Sequence, residues 1–473
     1  MTSLPADFRC NGIDAATGEP YYPPLPRAAV SRLARGLPGG DPARAAARRE
    51  RRTARPRLGL REGLDPKDLA AAGWGIVFPK DSDPAVREAL APLVEHRRAQ
   101  AAARDERFFR LLAGEDGVQP SESWRDFRNR HGGGPDEADP AKLPFYLLLV
   151  GDPEALPFEL QGGLDLQYAV GRLAFDTAEE YAHYAQSVVA AETIGAAGAG
   201  APRCAACFGV QNPGDPVMEL TALHLVPAVA SFLARERPDW TVATHLGETA
   251  TKAHLARLLG GEETPALLFT ATHGVCFHDD VERQRREQGS LLCQDWPGSG
   301  AVTRAHYFCA EDVVVEGGHG LAGLIAFHFA CHGAGTPRLE SYPREDGGAP
   351  RPLAPAAFVS RLPQRLLAHP QGGALAVVGH VERAWCHSFV WNGEEEAQMF
   401  QSTFLRLLDG YPVGAALEPF GQRYAHLAVE LEEERQSVGF GKLDDSRLLE
   451  LWTAANDARN YALLGDPAVR LPG

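Results

Sequence analysis

The sequence predicts an α/β protein with a mostly parallel sheet and helices on both of its faces. Three observations carry that expectation. Short, nearly continuous apolar runs such as Phe145–Val150, Ala266–Ala271 and Ile325–Ala330 suit strands buried on both sides. After residue 200, candidate strands alternate with candidate helices, the pattern of parallel crossover units. The chain has 473 residues, 44% hydrophobic and 23% charged, which is ordinary for a globular protein and too long for one core.

In chain order, residues 1–64 read as a poorly ordered or extended segment. It carries Pro23-Pro24-Leu25-Pro26, Gly39-Gly40 and a basic run from Arg44 to Arg52. That run reads as a solvated helix or tail, or as an arm docking on the acidic remainder. Residues 65–199 read as a smaller α/β subdomain. Gly73–Pro79 is a short strand with a turn after it, and residues 84–113 have helical spacing that ends near Gly114. Gly132-Gly133-Gly134-Pro135 is a loop. Phe145–Asp152 and Tyr168–Leu173 are strands. Thr177 with Glu180 forms a capping-box start for a helix that runs to about 193. Ala196–Gly200 is a small-residue linker.

Residues 200–473 then form the larger domain. Strands are expected at 204–211, 240–246, 266–272, 321–330 and 373–380. Helices are expected near 217–236, 249–260, 354–368, 396–409, 412–435 and 446–458. In such sheets sites form at the carboxyl ends of strands. Two long excursions, 278–318 and 336–355, begin beside those ends and are candidate walls of a binding cleft.

Composition excludes several classes. The net charge of -15 disfavours nucleic acid and anionic membrane as partners. No apolar stretch is read as a membrane span. Met1–Asp7 has neither a basic nor an apolar region of a secretory signal, so a cytoplasmic location is expected. The alanine, arginine and glycine bias suggests a bacterial source. Eight cysteines in a large chain without a signal are expected to be reduced thiols.

The chemistry is concentrated in two runs. Ala266–Gly274 ends in Thr272-His273-Gly274, and Ile325–Gly333 ends in Ala330-Cys331-His332-Gly333. An imidazole and a thiol, each at the tip of a buried strand, are the parts of a cysteine nucleophile site. Alone, Cys331 would read as a structural core thiol; its pairing with His273-Gly274 favours the catalytic reading. His328 reads as a hydrogen-bonded core histidine, and His332 as a turn residue that could tune the thiol. Cys204-x-x-Cys207 has half of a zinc spacing without a second half. Cys276 and His278 with Cys331 and His332 form a weaker cluster. No metal and no cofactor is expected.

These motifs resemble the caspase-like cysteine peptidases (clan CD), in which a His-Gly follows one strand and a Cys in an Ala-Cys-x-Gly type turn follows the next. Three further runs resemble the gingipain-type branch. They are Leu148–Pro153 with Tyr168–Leu173, Val378–Trp385, and Asn460–Ala468. The resemblance covers roughly residues 140–473. It implies a three-layer caspase-like sandwich preceded by a degenerate caspase-like subdomain, with residues 200–473 as the catalytic domain.

It also implies a cysteine endopeptidase acting on protein or peptide substrates through a Cys331–His273 dyad. His273 would be the general acid, and the amides of Gly274 and Cys331 the oxyanion donors. Substrate binding would fall to Asp215, Glu382 and Trp385, with a basic P1 residue recognised by a carboxylate. Arg338, Arg344 and Arg351 would then be self-cleavage candidates. Gingipains are secreted, and the absence of a signal here points instead to a regulated enzyme with an activating protein partner. The alternatives are a catalytically silent caspase-like scaffold and another thiol enzyme. No G-x-S-x-G or G-x-x-x-x-G-K-[ST] element supports the latter.

Overall fold

The computed structural model describes residues 10–22, 59–196, 203–278, 280–315, 320–341, 350–391, 394–439 and 445–471. The proline run, Gly39-Gly40, the basic arm and Arg344 lie outside them.

Along the chain the strands are β1 (Gly12–Asp14), β2 (Trp74–Val77), β3 (Phe109–Leu112), β4 (Tyr146–Val150), β5 (Ala169–Leu173) and β6 (Cys204–Gly209). They continue as β7 (Thr241–Leu246), β8 (Leu267–Ala271), β9 (Gly274–Cys276), β10 (Ser290–Leu292), β11 (Tyr307–Phe308) and β12 (Ile325–Phe329). The last are β13 (Gly335–Thr336), β14 (Phe358–Val359), β15 (Ala376–His380), β16 (Val390–Trp391), β17 (Glu394–Glu395) and β18 (Tyr461–Gly465).

Ten of them form one sheet in the order β3-β2-β4-β5-β18-β15-β12-β8-β6-β7. The order explains the composition of each strand. The central strands β4, β8, β12 and β15 are buried along their whole length, so they carry apolar runs. The edge strand β7 is half exposed and reads Thr-Val-Ala-Thr-His-Leu. All neighbours are parallel except β15 and β18, which pair antiparallel. The sheet is therefore two parallel halves joined at one antiparallel seam. The closing strand β18 runs parallel to β5 of the first half.

Aromatic side chains fill the space between the second half and the helix Gln398–Leu408. Phe327 lies 5.3 Å from Phe404 and 5.5 Å from Phe420, edge-on and tilted, the spacings that aromatic rings favour. The helix Pro216–Glu236 packs on the same half-sheet. Contrary to expectation, it is apolar and long enough to cross a membrane by length. Its Val217, Val226, Val229 and Leu233 are buried, which is the behaviour of a core helix.

Three element boundaries differ from expectation. The helix expected over 84–113 stops at Ala101, and Phe109–Leu112 is instead an edge strand paired in register with β2. Asp105 then caps a single turn, Glu106–Phe108, between that helix and the strand. The helix expected from 354 begins at Arg361, because Phe358 and Val359 pair with β13. Residues 10–22, within the segment expected to be poorly ordered or extended, form β1 and a turn built into the protein.

β1 belongs to a second, small sheet of order β1-β9-β10-β11. Two of its four strands, β10 and β11, come from the 278–318 excursion, whose described residues also hold the helix Val281–Glu287. It has its own apolar cluster of Ile13, Val275, Leu292, Trp296 and Tyr307. β1 runs parallel to β9, with Gly12 opposite Gly274.

Candidate active site

Four adjacent parallel strands, β6, β8, β12 and β15, end side by side, and each is followed by a residue of interest. The register decides which residues meet. Phe329 of β12 is level with Ala271 of β8, so Cys331 and His273 each lie two residues beyond the same rung. Asp215 follows β6, and Ala384 follows β15.

Asp215 begins the helix Pro216–Leu220. Its Oδ1 accepts from the amides of Val217 and Met218, which are unpaired at any helix start. Its Oδ2 is hydrogen-bonded to Nε2 of His273. Burial alone would raise the Asp215 carboxyl, but the His273 charge and these hydrogen bonds hold it below its ordinary range. Burial likewise opposes charge on His273, and Asp215 beside it prevails, so the imidazole pKa is raised. The sequence-based expectation set Asp215 aside for substrate. Here both of its oxygens are engaged, one by the helix start and one by the His273 imidazole.

Cys331 is fully buried. Its thiol accepts from the Ala384 amide at 3.2 Å. Burial pushes it well above the usual thiol range, and its hydrogen-bonded neighbour Cys10 pushes it further. Cys10 has the opposite balance. Burial raises it, but the bond to Cys331 and the charges of Arg383 and His273 outweigh that and lower it.

Gly274 packs directly against the Cys331 turn. A Cβ there would lie 1.8 Å from the Cys331 carbonyl oxygen, so no side chain fits. This lets the Gly274 amide face the same point as the Cys331 amide. Both donate to the carbonyl oxygen of Asn11, at 2.8 and 3.4 Å. The Asn11 amide in turn donates to the Ala384 carbonyl at 2.9 Å.

His332 adopts a left-handed turn conformation with φ of 58°. Its ring is held between the Tyr22 hydroxyl at 2.7 Å and the Thr336 hydroxyl at 3.0 Å. Burial lowers its pKa to about 3, so it rests neutral. His328 is bonded to the Thr270 hydroxyl at 2.8 Å inside the sheet, the place of a core residue.

The other two expected substrate residues are also enclosed. Glu382 accepts from the Ser341 amide at 2.9 Å and lies 3.7 Å from the Arg383 guanidinium. Arg383 also pairs with Glu340 and stacks 3.8 Å over the Tyr22 ring. Trp385 is buried, donates its amide to Asp457 at 2.9 Å, and bridges Cys10 in antiparallel fashion. The structure thus bonds Asp215 to His273 and packs Gly274 against Cys331 at the ends of adjacent strands, with Glu382 and Trp385 on the loop after β15.

Sequence reasoning missed Cys10, Asn11 and Gly12. A three-residue strand has too few residues to show periodicity, and Asn-Gly reads first as a turn.

No family model matches the chain, and no curated protein sequence does. Among solved structures, the crystal structure of the Arg-specific cysteine proteinase gingipain R is similar at a TM-score of 0.50 and 11% identity. The match covers 88% of this chain and 80% of that one. The complex of the Porphyromonas gingivalis RgpB pro- and mature domains matches at a TM-score of 0.48 and 12% identity, over 84% and 79% of the two chains. A structure described only as a protease matches at 0.47 and 13%, over 85% and 80%. At such identities the likeness to gingipain R is one of fold: a mixed α/β architecture on a large, mostly parallel sheet.

Proposed function

We propose that the chain is a cysteine endopeptidase with Cys331 as nucleophile and His273 as general acid. The observation that carries the reading is the convergence of the Gly274 and Cys331 amides on one carbonyl oxygen beside the Cys331 thiol. A tetrahedral intermediate needs two donors at its oxyanion, close to the attacking sulfur. His273, whose pKa Asp215 raises, supplies the proton that the departing amine requires. Asp215 is then a positioning residue. The gingipain-type fold agrees with this chemistry.

The preference for a basic P1 residue loses its support. It needs a carboxylate open to the cleft, and Asp215 and Glu382 are both engaged elsewhere.

The second reading is a silent scaffold, favoured by the complete burial of Cys331 in the intact chain. Hydrolysis of a fluorogenic peptide set varied at P1 separates the two. Turnover by the full chain that disappears in Cys331→Ala and His273→Ala supports the peptidase. No turnover under any condition supports the scaffold.

A further inference from the structure

Residues 10–14 pass through the candidate active site in the way a substrate would. The Asn11 carbonyl oxygen is held by the two converging amides of Gly274 and Cys331. On the N-terminal side, the Asn11 amide bonds Ala384 and Cys10 bridges Trp385 in antiparallel fashion. On the C-terminal side, Gly12–Asp14 pair with β9. Between these anchors, Cys331 Sγ is 3.3 Å from where a Cβ of Gly12 would stand. The peptide bond presented to the thiol is therefore Asn11–Gly12. The absence of a side chain on Gly12 is what lets it approach.

We propose that the chain is its own substrate, cut by Cys331 between Asn11 and Gly12, and that the site takes a short uncharged residue at P1. This rests on the peptidase reading above and deepens it. Sulfur attacks the Asn11 carbonyl carbon, whose oxygen is already between its donors. The bond to the Gly12 nitrogen breaks as His273 gives that nitrogen a proton, and the proton lost by the thiol restores His273. Water then hydrolyses the thioester, leaving an Asn11 carboxylate and the free thiol.

The P1 class follows from what surrounds the side chain. Asn11 is fully buried, and its amide nitrogen and oxygen have no hydrogen-bond partner among the described residues. A guanidinium or ammonium there would be a buried charge without a counterion, which is far costlier than a neutral amide. After cleavage, pairing with β9 and the burial of Ile13 keep Gly12 in place. The part of the chain that ends at Asn11 is released, and the Ala384 carbonyl becomes free to receive another strand.

The experiment is intact-mass spectrometry of the full chain during incubation, beside Cys331→Ala, with the fluorogenic peptide set assayed in the same samples. The expected result is loss of residues 1–11 from wild type alone, leaving a new N-terminus at Gly12. Asn11→Ala should be cut within about tenfold of the wild-type rate, and Asn11→Arg more than about 100-fold slower. Loss of the same segment from Cys331→Ala would mean spontaneous Asn–Gly chemistry and overturn the proposal. A wild-type chain that stays whole while cutting peptides overturns it but leaves the peptidase reading standing. A whole chain that cuts nothing overturns both. Rapid cleavage of Asn11→Arg would overturn the P1 class.

Discussion

His273 and Asp215 are hydrogen-bonded through Nε2 and Oδ2 across 58 residues of chain, because β8 and β6 end side by side in the sheet. The bond makes a specific kinetic signature. His273 has a raised pKa, so the stability it contributes is complete below the unfolded value of about 6.5. That contribution is lost as pH rises through the folded value. Asp215 has a lowered pKa, so its contribution is present above about 3.9 and lost as pH falls through the folded value. Asp215→Asn removes the charge and lets the imidazole pKa fall. The expected outcome is a basic limb of the pH–rate profile displaced to lower pH, with kcat reduced about 10²–10⁴-fold and KM little changed. An unmoved basic limb would show that Asp215 only caps its helix.

Gly274→Ala tests the oxyanion geometry. The new Cβ cannot remain 1.8 Å from the Cys331 carbonyl, so either β9 or the Cys331 turn must shift. Both carry an amide that bonds the Asn11 carbonyl oxygen. Peptide turnover should fall roughly 10²–10³-fold, and stability by about 1–3 kcal/mol. The check is kcat together with a urea midpoint. Unchanged turnover in a folded variant would remove Gly274 from the mechanism.

Cys10→Ala addresses the reactivity of the nucleophile. Cys10 raises the Cys331 pKa through both its hydrogen bond and its charge. Without it the Cys331 thiol becomes more acidic. In a His273→Ala background, chosen so that residues 1–11 stay attached, alkylation of Cys331 followed by peptide mapping against pH should reach its midpoint at lower pH with Cys10→Ala than without it. The thiolate is the reacting form, so the profile reports that pKa directly. An unchanged or higher midpoint would contradict the coupling of the two thiols.

The parts of this site that could be read in the sequence are those carried by continuous strands. His273 and Cys331 each close an apolar run, and parallel pairing of β8 with β12 then fixes their common level. The fate of Asp215 was not readable. An acid after a strand can meet a ligand, a histidine or a helix start, and only the β6–β8 pairing selects the last two. Phe109–Leu112 differs from the helical reading because four residues are too few to show a strand alternation distinct from the helix that ends at Ala101. The role of residues 10–14 depends on contacts with residues more than 250 positions away, which no local pattern encodes.

Two buried neutral histidines should make the protein sensitive to mild acid. Burial lowers His328 to about 4 and His332 to about 3. Their folded pKa values lie below the unfolded value of about 6.5, so the unfolded chain binds more protons in that interval. Stability therefore falls as pH drops from about 6.5 toward the folded values. At pH 5 each such histidine costs about 2 kcal/mol relative to neutral pH. In a Cys331→Ala background, where cleavage by Cys331 cannot occur, His328→Gln should shrink the stability difference between pH 7.5 and pH 5 by about that amount. Urea unfolding at the two pH values measures it. An identical pH dependence in the variant would mean that His328 already carries its proton in the fold.

The closing strand β18 is tied to the first half-sheet by a buried ion pair. Arg97 Nε is 2.6 Å from Asp466 Oδ2, at the end of β18, and its other nitrogens reach Glu192 at 2.6 and 2.8 Å. Asp466 also accepts from the Trp74 indole at 2.9 Å and the Ala468 amide at 3.0 Å. One carboxylate thus ties β18 to β2 and to the helix Ala91–Ala101. Arg97 and Asp466 are both buried, so removing one partner strands the other's charge away from water. Arg97→Ala should cost about 3–5 kcal/mol. The pair Arg97→Met with Asp466→Asn should cost less than Arg97→Ala, because the amide keeps the Trp74 bond and the fully buried Asp466 charge is gone, leaving only Glu192, which His96 also holds. Denaturant midpoints of the three chains decide the matter. A double variant at least as unstable as Arg97→Ala would mean that packing around β18, and not the buried charge, sets the strength of the seam.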